Sequence, residues 1–209
     1  MPSFCAHPKA DTGGISMINQ DSTINLNEAA QPKETQVQTM TKMALCIALC
    51  CVSAFISFPL PFTPGLVTAL TMALGVTAFV LTPKQTFITV TLYVLMGGIG
   101  LPVFPGGMGG LGRLLGPTGG FYLVWPLVYT IVSLFKGKEI NMKRYALVNI
   151  LFGVPLTYVG GLISMMLVMD VGLWQGLVMA VFPFIPGDIM KAVAAAFVGV
   201  KVNKVLANR

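Results

Sequence analysis

The chain has 209 residues, 55% hydrophobic and 10% charged, with a formal net charge of +6 and a mean hydropathy of +0.81. Soluble domains carry about 25% charged residues, so this composition excludes one and describes an integral membrane protein with no length left for a separate soluble catalytic domain. The positive charge is distributed as a topology signal and does not form a nucleic-acid-binding face.

Residues 1–40 differ in kind. They hold four acids, two lysines and the single histidine, His7, with many Asn, Gln, Ser and Thr and no apolar run. The expectation is a disordered polar cytoplasmic tail, without a secretory signal, followed by a membrane domain over 41–209. Met17 and Met40 are alternative starts that would shorten the tail.

Six apolar segments follow, at about 43–58, 65–81, 86–101, 118–135, 144–169 and 187–203, each near the length of a membrane crossing. The first holds Cys46, Cys50 and Cys51, placed as small buried hydrophobes; with Cys5 they show no spacing for zinc or a disulfide framework. It also holds Ala44 and Ala48, a small-xxx-small pattern that lets another helix approach closely in lipid. Packing within the chain uses the same pattern, so both readings stand. The breaks come at Pro59, Pro61 and Pro64, at Pro83, across the glycine-rich 106–120, at Lys136–Arg144 and at Asp170–Pro186. With the N-terminus inside, eleven of the thirteen basic residues fall on the cytoplasmic side, as the positive-inside rule requires. The expected fold is therefore all-α, with six transmembrane helices and both termini cytoplasmic.

The two exceptions, Arg113 and Lys191, belong to the outer half together with Asp170 and Asp188. Segment 97–120 packs eleven glycines into twenty-four residues. Its backbone cannot face lipid, so it either forms a tight cap or closes over a small molecule. Asp188 and Lys191 stand one helical turn apart behind Pro186-Gly187, inside an apolar segment. Charges at mid-membrane cost roughly 2.5–3.5 kcal/mol each, so a retained pair marks a functional site by default; an ion pair at i, i+3 that makes both charges tolerable is the plainer reading. Arg113 either meets a ligand carboxylate or snorkels to the surface. Asp170 ends a helix at the interface. Trp125, Phe104, Phe121, Phe182 and Phe184 supply an apolar wall. No nucleophile–base pair, P-loop or metal cluster accompanies these residues, so the chain reads as a non-enzyme without cofactor or metal.

The blocks Tyr93–Phe104, Gly109–Phe121 and Phe182–Lys191, with Gly-Pro-Thr-Gly-Gly and Pro-Gly-Asp-x-x-Lys inside them, resemble the BioY family, the biotin-binding S components of energy-coupling-factor (ECF) vitamin transporters. The resemblance spans about 40–205. It implies the S-component fold in a bacterial cell membrane and capture of biotin in an external cavity. It also implies partnership with a transmembrane coupling subunit and two ATPase subunits. By resemblance Asp188 and Lys191 point to the ligand, Thr118, Gly119, Gly120 and Phe121 border the cavity, and Tyr158 lies on its helix-five wall. Ala44 and Ala48 match the motif that contacts the coupling subunit. Two departures stand out: Thr68-Ala69-Leu70-Thr71 lacks the glutamine usual at the start of helix two, and Arg113 occupies a position where the family is not expected to fix a residue type. An S component for another vitamin, a membrane scaffold, a membrane enzyme and a channel are the rival readings.

Overall fold

Helix α1 runs from Gln36 to Phe55, opening inside the expected tail. The computed structural model describes residues 35–59, 66–137 and 139–208. The chain divides into the units Met1–Thr39 and Met40–Arg209. Of the first only residues 35–39 are described, so nearly all of the polar tail lies outside the described residues. After α1 come two short antiparallel strands, β1 (Ser57–Pro59) and β2 (Leu66–Thr68). The remaining helices are α2 (Leu70–Val80), α3 (Pro83–Gly98), the single turn α4 (Leu111–Leu114) and α5 (Gly119–Phe135). Then follow α6 (Met142–Met169), α7 (Leu173–Ala180) and α8 (Ile185–Ala207).

Each expected apolar segment contains a helix, but the boundaries moved for identifiable reasons. The break expected at Pro83 is present, since α2 ends at Val80 and Pro83 opens α3, where a missing N–H costs nothing; Gln85 Oε1 accepts the Thr82 backbone N–H at 3.0 Å. Residues 57–59 and 66–68 pair as short antiparallel strands, which have no apolar period to announce them. Asp170 ends α6 in the left-handed region, at φ 50°. The break expected over 170–186 instead contains α7, which meets α8 at a bend of 52°. By length and composition α1 and α6 can each cross a membrane, and α7 with α8 makes a third crossing if the bent pair is one span. Helices α2 and α5 are apolar but shorter.

Small residues set the packing. Ala192, Ala195, Ala196 and Gly199 are buried along α8, which lies against α2; a Cβ on Gly75 would stand 3.0 Å from that of Ala195. Helices α5 and α6 pack tightly at Gly120 and Gly160, where an added Cβ would find no room. This is how helices associate in lipid, where close backbone approach replaces a hydrophobic driving force.

Polar groups tie the helix ends. Lys136, just past α5, donates to the carbonyls of Ala78 and Phe79, at 2.9 and 2.8 Å, and to that of Leu81. Asn203 of α8 donates to Phe79 O at 2.9 Å and to the Tyr145 hydroxyl at 3.1 Å. The carbonyls at the end of α2 are thereby satisfied by side chains of two other elements. Lys136→Met is expected to cost about 2 kcal/mol, a fall of about 5 °C in melting temperature. An unchanged melting curve in detergent would show that water replaces the ammonium.

Candidate ligand-binding site

One cavity gathers most of the chemistry-bearing residues of the unit Met40–Arg209. It holds about 760 Å³ of open space, mouth included. Its walls come from six places in the chain. Thr68 and Thr71 sit at the end of β2 and the start of α2, and Pro105, Arg113 and Thr118 belong to the glycine-rich segment. Phe121, Tyr122 and Trp125 project from α5, and Thr157, Tyr158 and Met165 from α6. Met179, Ala180, Phe184, Asp188 and Lys191 complete it from α7 and α8.

Asp188 is the polar centre. Its carboxylate accepts the Tyr158 hydroxyl on Oδ2 at 2.6 Å and the Lys191 ammonium on Oδ1 at 3.1 Å. The ion-pair reading and the cavity reading therefore coexist: the pair is closed, and both members still line the space. Each carboxylate oxygen keeps a second acceptor site, and the ammonium keeps two more protons. The arrangement offers acceptors to ligand N–H groups and donors to a ligand carbonyl or carboxylate.

Three polar groups at the cavity lack partners. Trp125 Nε1, Thr71 Oγ1 and Thr118 Oγ1 are buried without a hydrogen bond, and all three residues line the cavity. A buried donor left unmade costs about 1–3 kcal/mol, so a site carrying three of them is suited to a ligand that satisfies them.

The glycine-rich segment works both as packed cap and as cavity wall. Phe104 is its peg: the ring is fully buried, stacks on Tyr122 with centroids 4.5 Å apart, and occupies the space a Cβ on Gly97 would need. Tyr93 donates to Val103 O at 2.6 Å, and Gly110, at φ 98°, turns back to donate to Gly97 O at 2.7 Å. With the loop pinned, Pro105, Arg113 and Thr118 reach the cavity. The Arg113 guanidinium lies against Met108 Sδ, and among the described residues it has no carboxylate partner.

Of the residues singled out from sequence, Asp188, Lys191, Arg113, Thr118, Phe121 and Tyr158 meet at this one cavity. Gly119 and Gly120 do not line it. A Cβ on Gly119 would stand 1.8 Å from Leu114 O, and one on Gly120 2.1 Å from Gly160 O, so both serve close packing. Phe104 belongs to the core, and Phe182, 48% exposed, packs on Trp174 instead. On α1, Ala44 and Ala48 are exposed, opposite the buried Cys46 and Cys50. Ala54, further along α1, is fully buried in the core. Sequence reasoning treated Trp125 only as apolar wall and passed over Thr157 and Met165. An indole is amphipathic, and nothing local announces that its N–H will be stranded.

A set of short, glycine-packed apolar helices enclosing one polar-centred cavity defines a membrane protein built to hold a small solute. The fold is that of an S component. It superposes on the crystal structure of the S-component for biotin from an ECF-type ABC transporter with a TM-score of 0.77 and 28% identity, covering 84% of this chain and 95% of that one. Among sequence relatives, the probable biotin transporter BioY of Bacillus subtilis is 31% identical over 170 residues, 80% of this chain and 91% of its own length. The probable biotin transporter BioY of Pyrococcus horikoshii is 34% identical over 166 residues, 78% of this chain and 94% of its own. The BioY family model matches residues 26–208, and the chain belongs to the BioY family.

Proposed function

We propose that this chain is the biotin-binding S component of an ECF transporter, capturing biotin from outside for uptake driven by ATP hydrolysis on partner subunits. The observation that carries the reading is the cavity, in which Asp188, Lys191 and Tyr158 form one hydrogen-bonded centre beside unpartnered Trp125 and Thr71. Biotin has the complementary parts: ureido N–H donors and carbonyl, an apolar ring system and a carboxylate. Asp188 accepts ureido N–H groups, Trp125 and Thr71 meet the ligand's acceptors, and Arg113 or Lys191 neutralises the carboxylate. Phe121 and Phe184 cover the ring, and Thr118 borders it.

The chain lies in a bacterial cell membrane as a multi-pass protein of six crossings, with both termini and the polar tail of residues 1–40 cytoplasmic. The basic residues just past α2 and α5 and in the last turns of α8 support that orientation. The transmembrane coupling subunit docks on the exposed Ala44 and Ala48 face of α1, and two ATPase subunits complete the assembly.

Calorimetry of the purified protein in nanodiscs, with biotin as titrant and thiamine and riboflavin as competitors, tests the substrate. Tight binding of biotin alone is the expected result; binding of another vitamin keeps the class and moves the substrate. Trp125→Phe separates ligand contact from packing. It keeps the ring and removes a stranded donor, so the empty protein is expected to melt no lower, while biotin affinity falls by about tenfold. Unchanged affinity would leave Trp125 as a wall and nothing more.

A further inference from the structure

We propose that the end of the helix array remote from the cavity is a docking surface for anionic phospholipid headgroups. Lys201 and Lys204 lie near the end of the 23-residue α8, Lys204 about 20 Å along it from Lys191 at 1.5 Å per residue. The bonds of Lys136 and Asn203 to the carbonyls of residues 78–81 bring the ends of α2, α5 and α8 to one level. Arg144, at the start of α6, joins them by donating to Phe135 O at 3.3 Å, and Lys84 follows α2 directly in the first turn of α3. Five exposed cations thus share one end: Lys84, Lys143, Arg144, Lys201 and Lys204. Among the described residues none of them has an ion-pair partner, and Glu139 is the one carboxylate at that end.

The flank leading to these cations is apolar and open. Phe135, Leu147 and Phe197 are exposed on α5, α6 and α8. The Lys201 ammonium stands 4.3 Å from the Phe197 ring centroid, its stem on the apolar flank and its charge at the rim. An apolar belt ending in a rim of unpaired cations matches the step from acyl chains to phosphates, where an anionic leaflet attracts Lys and Arg within a Debye length. The cations are spread over three helices around a rim and do not converge on one point, which suits a leaflet of headgroups better than a single soluble anion. The inference rests on membrane placement and not on the identity of the cavity's ligand.

The test is thermal unfolding in nanodiscs of phosphatidylcholine alone and of phosphatidylcholine with phosphatidylglycerol. The expected result is a melting temperature higher by about 5 °C with the anionic lipid, abolished by 0.5 M salt as about the ionic strength at which surface attraction is screened out. The quadruple variant Lys84→Gln, Lys143→Gln, Lys201→Gln, Lys204→Gln is expected to lose the difference. Its biotin titration, unchanged from the parent, would show that the cavity is folded. Equal melting in both lipids, an anionic-lipid effect that survives the quadruple variant, or reproduction of the shift by inorganic phosphate in neutral discs would each overturn the proposal.

Discussion

Asp188→Asn is expected to weaken biotin binding by about 100-fold or more while the protein still purifies as a folded, monodisperse species. The carboxylate is held by two donors, the Tyr158 hydroxyl at 2.6 Å and the Lys191 ammonium at 3.1 Å, and its remaining lone pairs face the cavity. The amide keeps the shape but removes the charge. Each charge-assisted bond is worth about 1.5–3 kcal/mol, and 2.7 kcal/mol is about a hundredfold in affinity. Lys191, left without its partner, is free to turn from the ligand. Because the three residues act as one unit, their substitutions should not add. Lys191→Ala is expected to cost about as much as Asp188→Asn, and the double variant little more than either. Tyr158→Phe, which deletes only the orienting bond, should cost about tenfold. Calorimetry on the four proteins reads the pattern, and native affinity in Asp188→Asn would remove the centre from the binding account.

Gly120→Val is expected to abolish the folded protein altogether. A Cβ at this position would stand 2.1 Å from the Gly160 carbonyl oxygen and 2.6 Å from the Ser164 Cβ. Backbone lies on one side, so no rotamer change relieves the clash, and α5 must part from α6. Overpacking costs about 1–3 kcal/mol where side chains yield, and more is expected where a helix crossing must open. The bond from Ser164 Oγ to Gly116 O, 3.0 Å long, would break with it, and Phe121 and Thr118 would lose their places in the cavity wall. The control is Gly112→Ala, which meets nothing within 4 Å and should leave both folding and binding intact. A size-exclusion profile with a native Gly120→Val peak that binds biotin would show that the crossing is not tight.

What the sequence made legible was what lipid makes expensive. Asp188, Lys191 and Arg113 stood out because charge in an apolar segment is costly, and all three line the cavity. The apolar segments were visible from composition, and each contains a helix. What stayed hidden depends on neighbours distant in sequence. Phe104 is an aromatic like Phe121, yet it plugs the loop while Phe121 lines the cavity. Gly119 and Gly120 sit beside Thr118 in one motif, but only the space left by Leu114 and Gly160 shows that they serve packing. The pairing of Ser57–Pro59 with Leu66–Thr68 was hidden by the neighbouring prolines, which read as a break. The stranded Trp125 N–H became visible only once the atoms around it were placed.

Helix α6 contains a π turn at Asn149–Gly153, and its consequence is one of phase. A π turn absorbs an extra residue into the helical ladder, and an α-helix rotates about 100° per residue. Everything after Gly153 is therefore clocked by that increment relative to Tyr145 and Val148, which sit in the core. The increment lets one helix show the core one stripe in its first turns and turn Thr157 and Tyr158 toward Asp188 further on. Closing the ladder as an ordinary α-helix with every residue kept would carry Tyr158 about 100° around the axis, whereas deleting one residue within 149–153 together with the π turn would leave Tyr158 facing Asp188. The apolar composition of the helix would be nearly the same in either case. For this family member the π turn between Tyr145 and Tyr158 is as much a part of the binding site as the residues themselves.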